Sequence, residues 1–304
     1  MIDYANEIIR LKQEKNAVIL AHYYQRPEIQ DIADYTGDSL YLSKIARDID
    51  AEMIIFCGVH FMAESAKLLS PKKKVILPQK FAGCPMANMA KASDLKKYKE
   101  DHPDTTIVCY VNSTAETKAL CDVCVTSSNA ETIIKEYKDH KLLYLPDQNL
   151  GAYLRKKYDL DMDLWPGYCY VHNRISLEEV QDMQKKFPNA ELLVHPEMKL
   201  EITEIADHVG STKGLLEYTK TSNSIQFLVG TESGIIHQMK KASPDKEFIE
   251  IKNNFVCRNM KLTTMKDLYN ALMNEETEIH IPKNIMQDAK KSLDKMFEIT
   301  ERNA

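Results

Sequence analysis

Three cysteines, Cys84, Cys169 and Cys257, recur at one place in three successive copies of a single pattern, at intervals of 85 and 88 residues. A repeat of this length constrains the fold more than any local motif. Each copy opens with a polar helix and an apolar strand, at residues 17–22, 106–112 and 191–195. An Asp follows, with a hydroxyl residue five positions later: Asp34 with Ser39, Asp122 with Ser127, Asp207 with Thr212. A helical run comes next, then a second apolar strand at 53–57, 142–145 and 225–229, a further helix, a short strand and the cysteine. Each copy supplies only one of these three thiolates, so no copy can gather all three by itself. Three copies closed about a pseudo-threefold axis can.

Helices and strands alternate almost throughout, which implies α/β architecture with parallel sheets and right-handed crossovers. The strands are nearly continuous apolar runs, as expected when both faces of a sheet are covered. Ser176-Leu177-Glu178-Glu179 reads as a capping box, and Pro27 suits a first helical turn. The cysteine spacing divides the chain into repeats at 1–85, 86–170 and 171–258. Residues 259–304 hold one more helix (265–273), a strand (278–281) and a last helix (285–297), and this half-unit is expected to pack back on the first repeat.

At 304 residues the chain is long enough for two or three domains sharing interfaces. A net charge of −5 gives no electrostatic case for nucleic acid, and runs such as Lys72-Lys73-Lys74 lie beside acidic residues as solvated faces do. No apolar stretch reaches membrane-spanning length, and Met1-Ile2-Asp3-Tyr4 lacks the basic start of a signal peptide, so a cytoplasmic location is expected. Seven cysteines in a reducing compartment read as ligands, reactive thiols or small core residues rather than disulfides.

Ligands of α/β sheets bind at the carboxyl ends of the strands. Those ends carry His22 and Tyr24, Tyr110 and Asn112, His195 and Glu197. His22 and His195 look equivalent, with Asn112 filling the place in the second copy. Ser39, Ser127 and Thr212 stand before helices, where they serve either as plain N-caps or as part of an anion site at three converging helix N-termini. Glu197, beside a Lewis-acid metal, suits proton transfer during dehydration or enolisation.

A lone cysteine is usually a small buried hydrophobe, but equivalent placement in three repeats points to ligation. Thiolates favour zinc or an iron–sulfur cluster. A cubane on three thiolates leaves one iron without a protein ligand, open to substrate oxygen and able to act as a Lewis acid. Cys121-Asp122-Val123-Cys124 has zinc or redox spacing, yet it starts a strand and lacks a second pair, so it reads as core, as do Cys57 and Cys109.

The segments Leu20-Ala21-His22-Tyr23-Tyr24-Gln25, Gly37-Asp38-Ser39-Leu40, Cys84-Pro85-Met86-Ala87, Tyr110-Val111-Asn112-Ser113, Asp147-Gln148-Asn149-Leu150-Gly151, Val194-His195-Pro196-Glu197, Gly210-Ser211-Thr212, Gly230-Thr231-Glu232 and Cys257-Arg258-Asn259-Met260-Lys261 resemble the quinolinate synthase family, in order and over nearly the whole chain. Tyr23 stands where that family's pattern has Asn. The resemblance implies three pseudo-threefold-related α/β/α sandwich domains around a central active site. It implies condensation of iminosuccinate with dihydroxyacetone phosphate to quinolinate, with loss of phosphate and two waters, in de novo NAD biosynthesis. It implies one [4Fe–4S] cluster per chain on Cys84, Cys169 and Cys257, with one open iron, and supply of iminosuccinate by an L-aspartate oxidase or dehydrogenase. By the same resemblance His22, Ser39, Tyr110, Val111, Asn112, Ser127, His195, Pro196, Glu197 and Thr212 line the substrate site, and Tyr24, His172 and Ser211 are further active-site residues. Proton transfer falls to Glu197, Tyr24 or His22. Two other readings stay open on the residues: a radical iron–sulfur enzyme of the diphthamide-synthesis type, with one cysteine per domain, and a metal-based sensor or binding protein without catalysis.

Overall fold

The computed structural model describes residues 3–303. Among the described residues, twelve strands form three four-stranded parallel sheets. The first holds β1 (Ala17–His22), β2 (Tyr35–Gly37), β3 (Met53–Cys57) and β4 (Lys74–Ile76). The second holds β5 (Thr106–Tyr110), β6 (Val123–Val125), β7 (Leu142–Leu145) and β8 (Met162–Leu164). The third holds β9 (Glu191–Val194), β10 (His208–Val209), β11 (Gln226–Gly230) and β12 (Glu247–Glu250). Their orders, β2-β1-β3-β4, β6-β5-β7-β8 and β10-β9-β11-β12, are one winding used three times. Helices connect the strands, so the chain is an α/β protein of three α/β/α units.

The repeated Asp fixes that winding. The carboxylates of Asp34, Asp122 and Asp207 accept the backbone N–H of Ile19, Ile107 and Leu192 at 2.8, 2.7 and 2.7 Å, each across 15 residues. The backbone N–H of each Asp donates to the carbonyl of the same partner, at 2.9, 3.0 and 3.0 Å. This pair of hydrogen bonds carries the chain from the first strand of each repeat into the edge strand beside it. The edge strands are only two or three residues long, so backbone pairing alone holds them weakly. The carboxylate supplies the missing bond at the start of each.

Other local signals agree. Ser176 and Glu179 form a complete capping box on the helix Leu177–Lys186, and Pro27 opens the helix Pro27–Ile32. The second apolar run of the third repeat, β11, begins at Gln226 rather than Ile225, whose side chain is exposed.

After Cys257 the helix Met265–Asn274 packs on the helix Tyr4–Glu14, with the rings of Tyr4 and Tyr269 5.5 Å apart. Residues 278–281 form no strand; they make one antiparallel bridge, Ile76 to Glu278, because Pro282 at once starts the last helix. That helix, Lys283–Arg302, lies against β6 and the helices Ala115–Lys118 and Ala130–Glu136 of the second repeat as well as His60–Leu69 of the first. Its apolar side chains Leu293, Met296 and Phe297 join the core that runs from the first sheet into the second. The terminal segment thus ties two repeats together rather than resting on the first alone.

Replacing Asp122 or Asp207 with Ala leaves a strand N–H without its charged partner. Each substitution is expected to lower unfolding free energy by about 1.5–3 kcal/mol. Chemical denaturation checks this; a loss below the error of the fit would show that the backbone bond alone holds the crossover.

Candidate active site

The Asp bond sets where each first strand delivers its side chains. Counting from Ile19, Ile107 and Leu192, the third residue onward is His22, Tyr110 and His195, and the fifth is Tyr24, Asn112 and Glu197. All six line one central cavity of about 70 Å³. The register corrects one sequence expectation: Tyr110, not Asn112, holds the place equivalent to His22 and His195. Asn112 is the counterpart of Tyr24 and Glu197.

Cys84, Cys169 and Cys257 line the same cavity, one from each repeat, and all three are partly accessible. Cys57, Cys109, Cys121 and Cys124 are buried in the cores, as the apolar strands around them imply. Burial pushes the Cys84 thiol up to about 12 and raises Cys169 and Cys257 as well, so ligation of a metal must displace protons.

Ser39, Ser127 and Thr212 also reach this cavity. They are not the N-caps. Asp38 and Ser211 cap the helices Ser39–Asp48 and Thr212–Thr221, accepting from the N–H of Tyr41 and Gly214 at 2.9 and 3.1 Å. Ser127 lies in the turn ahead of Asn129, which precedes the helix Ala130–Glu136. Because neighbours do the capping, the hydroxyls of Ser39 and Ser127 stay available to a ligand, while that of Thr212 lies 3.1 Å from the Tyr24 hydroxyl. Ser211 is therefore a structural cap. With Pro196 it lines a smaller adjacent cavity that shares Ser127 with the central one. Val111 is buried, with its N–H donating to the Val125 carbonyl at 2.9 Å, and the central cavity does not include its side chain.

The histidines are held neutral. Burial depresses His22 to about 3, with Lys261 and His195 adding to it, and burial depresses His195 to about 4. Their Nδ1 atoms accept the backbone N–H two residues on, from Tyr24 at 3.1 Å and Glu197 at 3.3 Å. In a neutral imidazole the proton then sits on Nε2, which leaves Nε2–H as the donor for a ligand. No lysine or arginine lines the cavity among the described residues. An anion there is met by neutral N–H and O–H donors and by the positive ends of the helices Ser39–Asp48 and Thr212–Thr221.

Burial alone would raise Glu197, but His195, His172 and the Tyr110 hydroxyl outweigh it and hold the carboxyl well below the usual range. Tyr110 donates to Glu197 Oε1 at 2.7 Å, and His172 Nδ1 lies 2.9 Å from Oε2. His172 Nδ1 is also 3.2 Å from Cys169 Sγ, and donor atoms of Cys169, His172 and Glu197 all lie within 4.8 Å of one another, so the trio could hold a metal ion. Tyr24 stays a neutral phenol, raised by burial and by the Glu197 charge.

Two buried carboxylates escaped the sequence reading. Asp147 and Glu232 each stand two residues past a strand, after Leu145 of β7 and Gly230 of β11. They accept the N–H of Cys169 at 3.2 Å and of Cys257 at 3.1 Å, which positions two of the three cysteine loops. Burial and the nearby Glu197 raise Asp147 well above the ordinary range, and burial raises Glu232. In the first repeat the same place is Val59, and His60 N–H instead holds the loop through the Ala82 carbonyl at 2.8 Å. A carboxylate recurring two residues after the second strand in two repeats was the available signal.

Nitrogen-15 NMR of labelled histidine checks the neutral pair. His22 and His195 are expected to keep the neutral Nε2–H form at pH 5.5, since their pKa values are about 3 and 4. Titration of both near pH 6.5 would refute the burial argument.

Residues 6–298 match the family model described as Quinolinate synthetase A protein. Among curated relatives, quinolinate synthase of Clostridium perfringens (strain ATCC 13124) is 49% identical over 98% of this chain and 99% of its own. That of Caldicellulosiruptor bescii is 48% identical over 97% of each chain, and that of Clostridioides difficile (strain 630) is 47% identical over 98% of this chain and 99% of its own. The winding, the three cysteines and the cavity thus sit in a chain that belongs to the quinolinate synthase family of enzymes.

Proposed function

We propose that this chain condenses iminosuccinate with dihydroxyacetone phosphate, giving quinolinate, phosphate and two waters for de novo NAD biosynthesis, with one [4Fe–4S] cluster on Cys84, Cys169 and Cys257. The observation that carries this reading is the convergence of one cysteine from each repeat on the cavity that collects His22, Tyr24, Tyr110, Asn112, His195 and Glu197. The donor set fits a cluster: three partly accessible thiols share the cavity, while the other four cysteines are buried in the cores. When bound, such a cluster supplies a Lewis-acidic iron that lacks a protein ligand.

The chain's own residues divide the remaining work. Both substrates are anionic, and the Nε2–H groups of His22 and His195, with the hydroxyls of Ser39 and Ser127, bind and orient carboxylate and phosphate oxygens. Asn112 Oδ1 is buried with no hydrogen-bond partner, so it accepts an N–H or O–H of the ligand. Glu197, ionised and held by Tyr110 and His172, takes protons from the condensing carbons. Tyr24, a neutral phenol, donates one to a departing hydroxyl. The buried lining, His22, Tyr110, His195 and Glu197 among it, limits water around an imine that hydrolyses readily. That lability also requires a dedicated supply of iminosuccinate by an L-aspartate-oxidising enzyme, an oxidase or a dehydrogenase. A cytoplasmic setting suits the free thiols. Among the described residues no helix is long and apolar enough to cross a membrane.

The test is anaerobic purification, iron and sulfide analysis, and assay of quinolinate from the two substrates. Cys84→Ala, Cys169→Ala and Cys257→Ala are each expected to lose the cluster and all turnover, whereas Cys121→Ala keeps its iron. An iron-replete Cys169→Ala protein, or a loaded wild-type protein that forms no quinolinate, would overturn the reading.

A further inference from the structure

The residue that follows each of the three cavity cysteines differs among the repeats: Pro85, Tyr170 and Arg258. Only the second carries a hydroxyl. Tyr170 opens the short helix Tyr170–Asn173, lines the central cavity, and packs its ring against the apolar core that holds Val171 and Phe255. Its hydroxyl does not serve the adjoining Cys169. It donates toward Cys257 Sγ, 87 residues on, at 3.8 Å. The same oxygen accepts the backbone N–H of Arg258 at 3.0 Å. The loop of the second repeat thus supplies one thiol of its own and an O–H for the thiol of the third. Among the described residues no hydroxyl is bonded to Sγ of Cys84 or Cys169; Cys169 meets only His172 Nδ1, which also faces Glu197.

Counting donors fixes the direction of the bond. A phenol has one proton and keeps it at neutral pH, and a sulfur that has lost its proton can only accept. The Arg258 N–H already uses the phenol oxygen as an acceptor, so the phenol proton is left for sulfur. Because Arg258 adjoins Cys257, that N–H keeps the hydroxyl with the cysteine's own loop. Ligation of a metal removes the Cys257 proton and leaves a thiolate. A hydrogen bond to a charged acceptor is shorter and stronger than one to a neutral group. Such a bond draws electron density from the sulfur. Hydrogen bonds to the sulfurs are one of the factors that set the potential of an iron–sulfur centre. They favour the reduced state, whose extra negative charge makes the sulfur a better acceptor.

We infer that Tyr170 is a positioning residue that acts through Cys257: its hydroxyl, held by the Arg258 N–H, donates to the Cys257 thiolate and raises the reduction potential of the bound cluster. The inference rests on the reading above that Cys84, Cys169 and Cys257 hold an iron–sulfur cluster, and it is independent of the reaction assigned to that cluster.

Tyr170→Phe removes the hydroxyl and keeps the ring. Tyr168→Phe is the control: Tyr168 stands on the other side of Cys169, and its side chain does not line the cavity. Protein purified anaerobically with its cluster is titrated with dithionite, and the one-electron midpoint potential is read from the EPR signal of the reduced form. Loss of the bond is expected to weaken reduction on the order of tenfold, which for one electron is a shift of about 59 mV to more negative potential. Iron and sulfide content should match wild type in both variants, and Tyr168→Phe should keep the wild-type potential. Pulsed EPR of the reduced protein in deuterated buffer gives a second readout. An exchangeable deuteron strongly coupled to the cluster in wild type and in Tyr168→Phe should be missing from Tyr170→Phe. An unchanged potential in Tyr170→Phe, or a retained deuteron coupling, would overturn the inference. So would an equal shift in Tyr168→Phe, which would show a general sensitivity of the loop. A Tyr170→Phe protein that fails to fold or to load its cluster would also overturn it and mark the residue as purely structural. If wild type loads a cluster but forms no quinolinate, the assigned reaction falls alone, and the potential still decides the role of Tyr170. If wild type binds no iron, both fall together.

Discussion

The bond between an Asp carboxylate and a strand N–H 15 residues earlier, made three times, is the constraint on which the rest depends. It fixes which residue of each first strand is the last to pair and which are the first to leave the sheet. A slip of one residue would turn His22, Tyr110 and His195 to the opposite face, because side chains alternate along a strand. With the register set, each repeat presents two polar side chains and, 85 or 88 residues from its neighbours' equivalents, one thiol. The site is therefore a property of the assembly of repeats. No repeat contains it.

Electrostatics within the site follow from burial. Taking charges out of water is costly, so burial lowers His22 and His195 and raises Asp147, while His195, His172 and the Tyr110 hydroxyl hold Glu197 below the usual range. The result separates roles among groups of similar chemistry. Asp147 accepts the N–H of Cys169 and steadies its loop, whereas Glu197 is held by Tyr110 and His172. Two histidines, His22 and His195, accept backbone N–H groups at Nδ1, and a third, His172, lies 2.9 Å from Glu197.

Much of this was legible in the sequence, for definable reasons. The cysteine interval exposed the repeat, and the Asp-to-hydroxyl spacing marked its register, although the Asp proved to be a strand anchor and the hydroxyls proved not to be caps. The pairs at the strand ends were identified, but the equivalence of Asn112 with His22 was misjudged, because the apolar run through residues 106–112 does not reveal where β5 ends. β10 is two residues long and leaves no periodic signal. Asp147 and Glu232 gain no role from the sequence, because what defines each is a partner far along the chain, Cys169 and Cys257. The last helix was read as returning to the first repeat; its apolar face alone does not say which sheet it covers, and it covers parts of two units.

The central claim is that three repeats jointly hold one cluster and present it to a ligand oriented by His22 and His195. An anaerobic crystal structure of the loaded protein with quinolinate tests it most directly, with anomalous scattering locating the iron. The account requires iron bonded to Sγ of Cys84, Cys169 and Cys257, and ligand oxygens within hydrogen-bond reach of the two Nε2 atoms. Iron held instead by Cys169, His172 and Glu197, or a ligand bound away from both histidines, would contradict it.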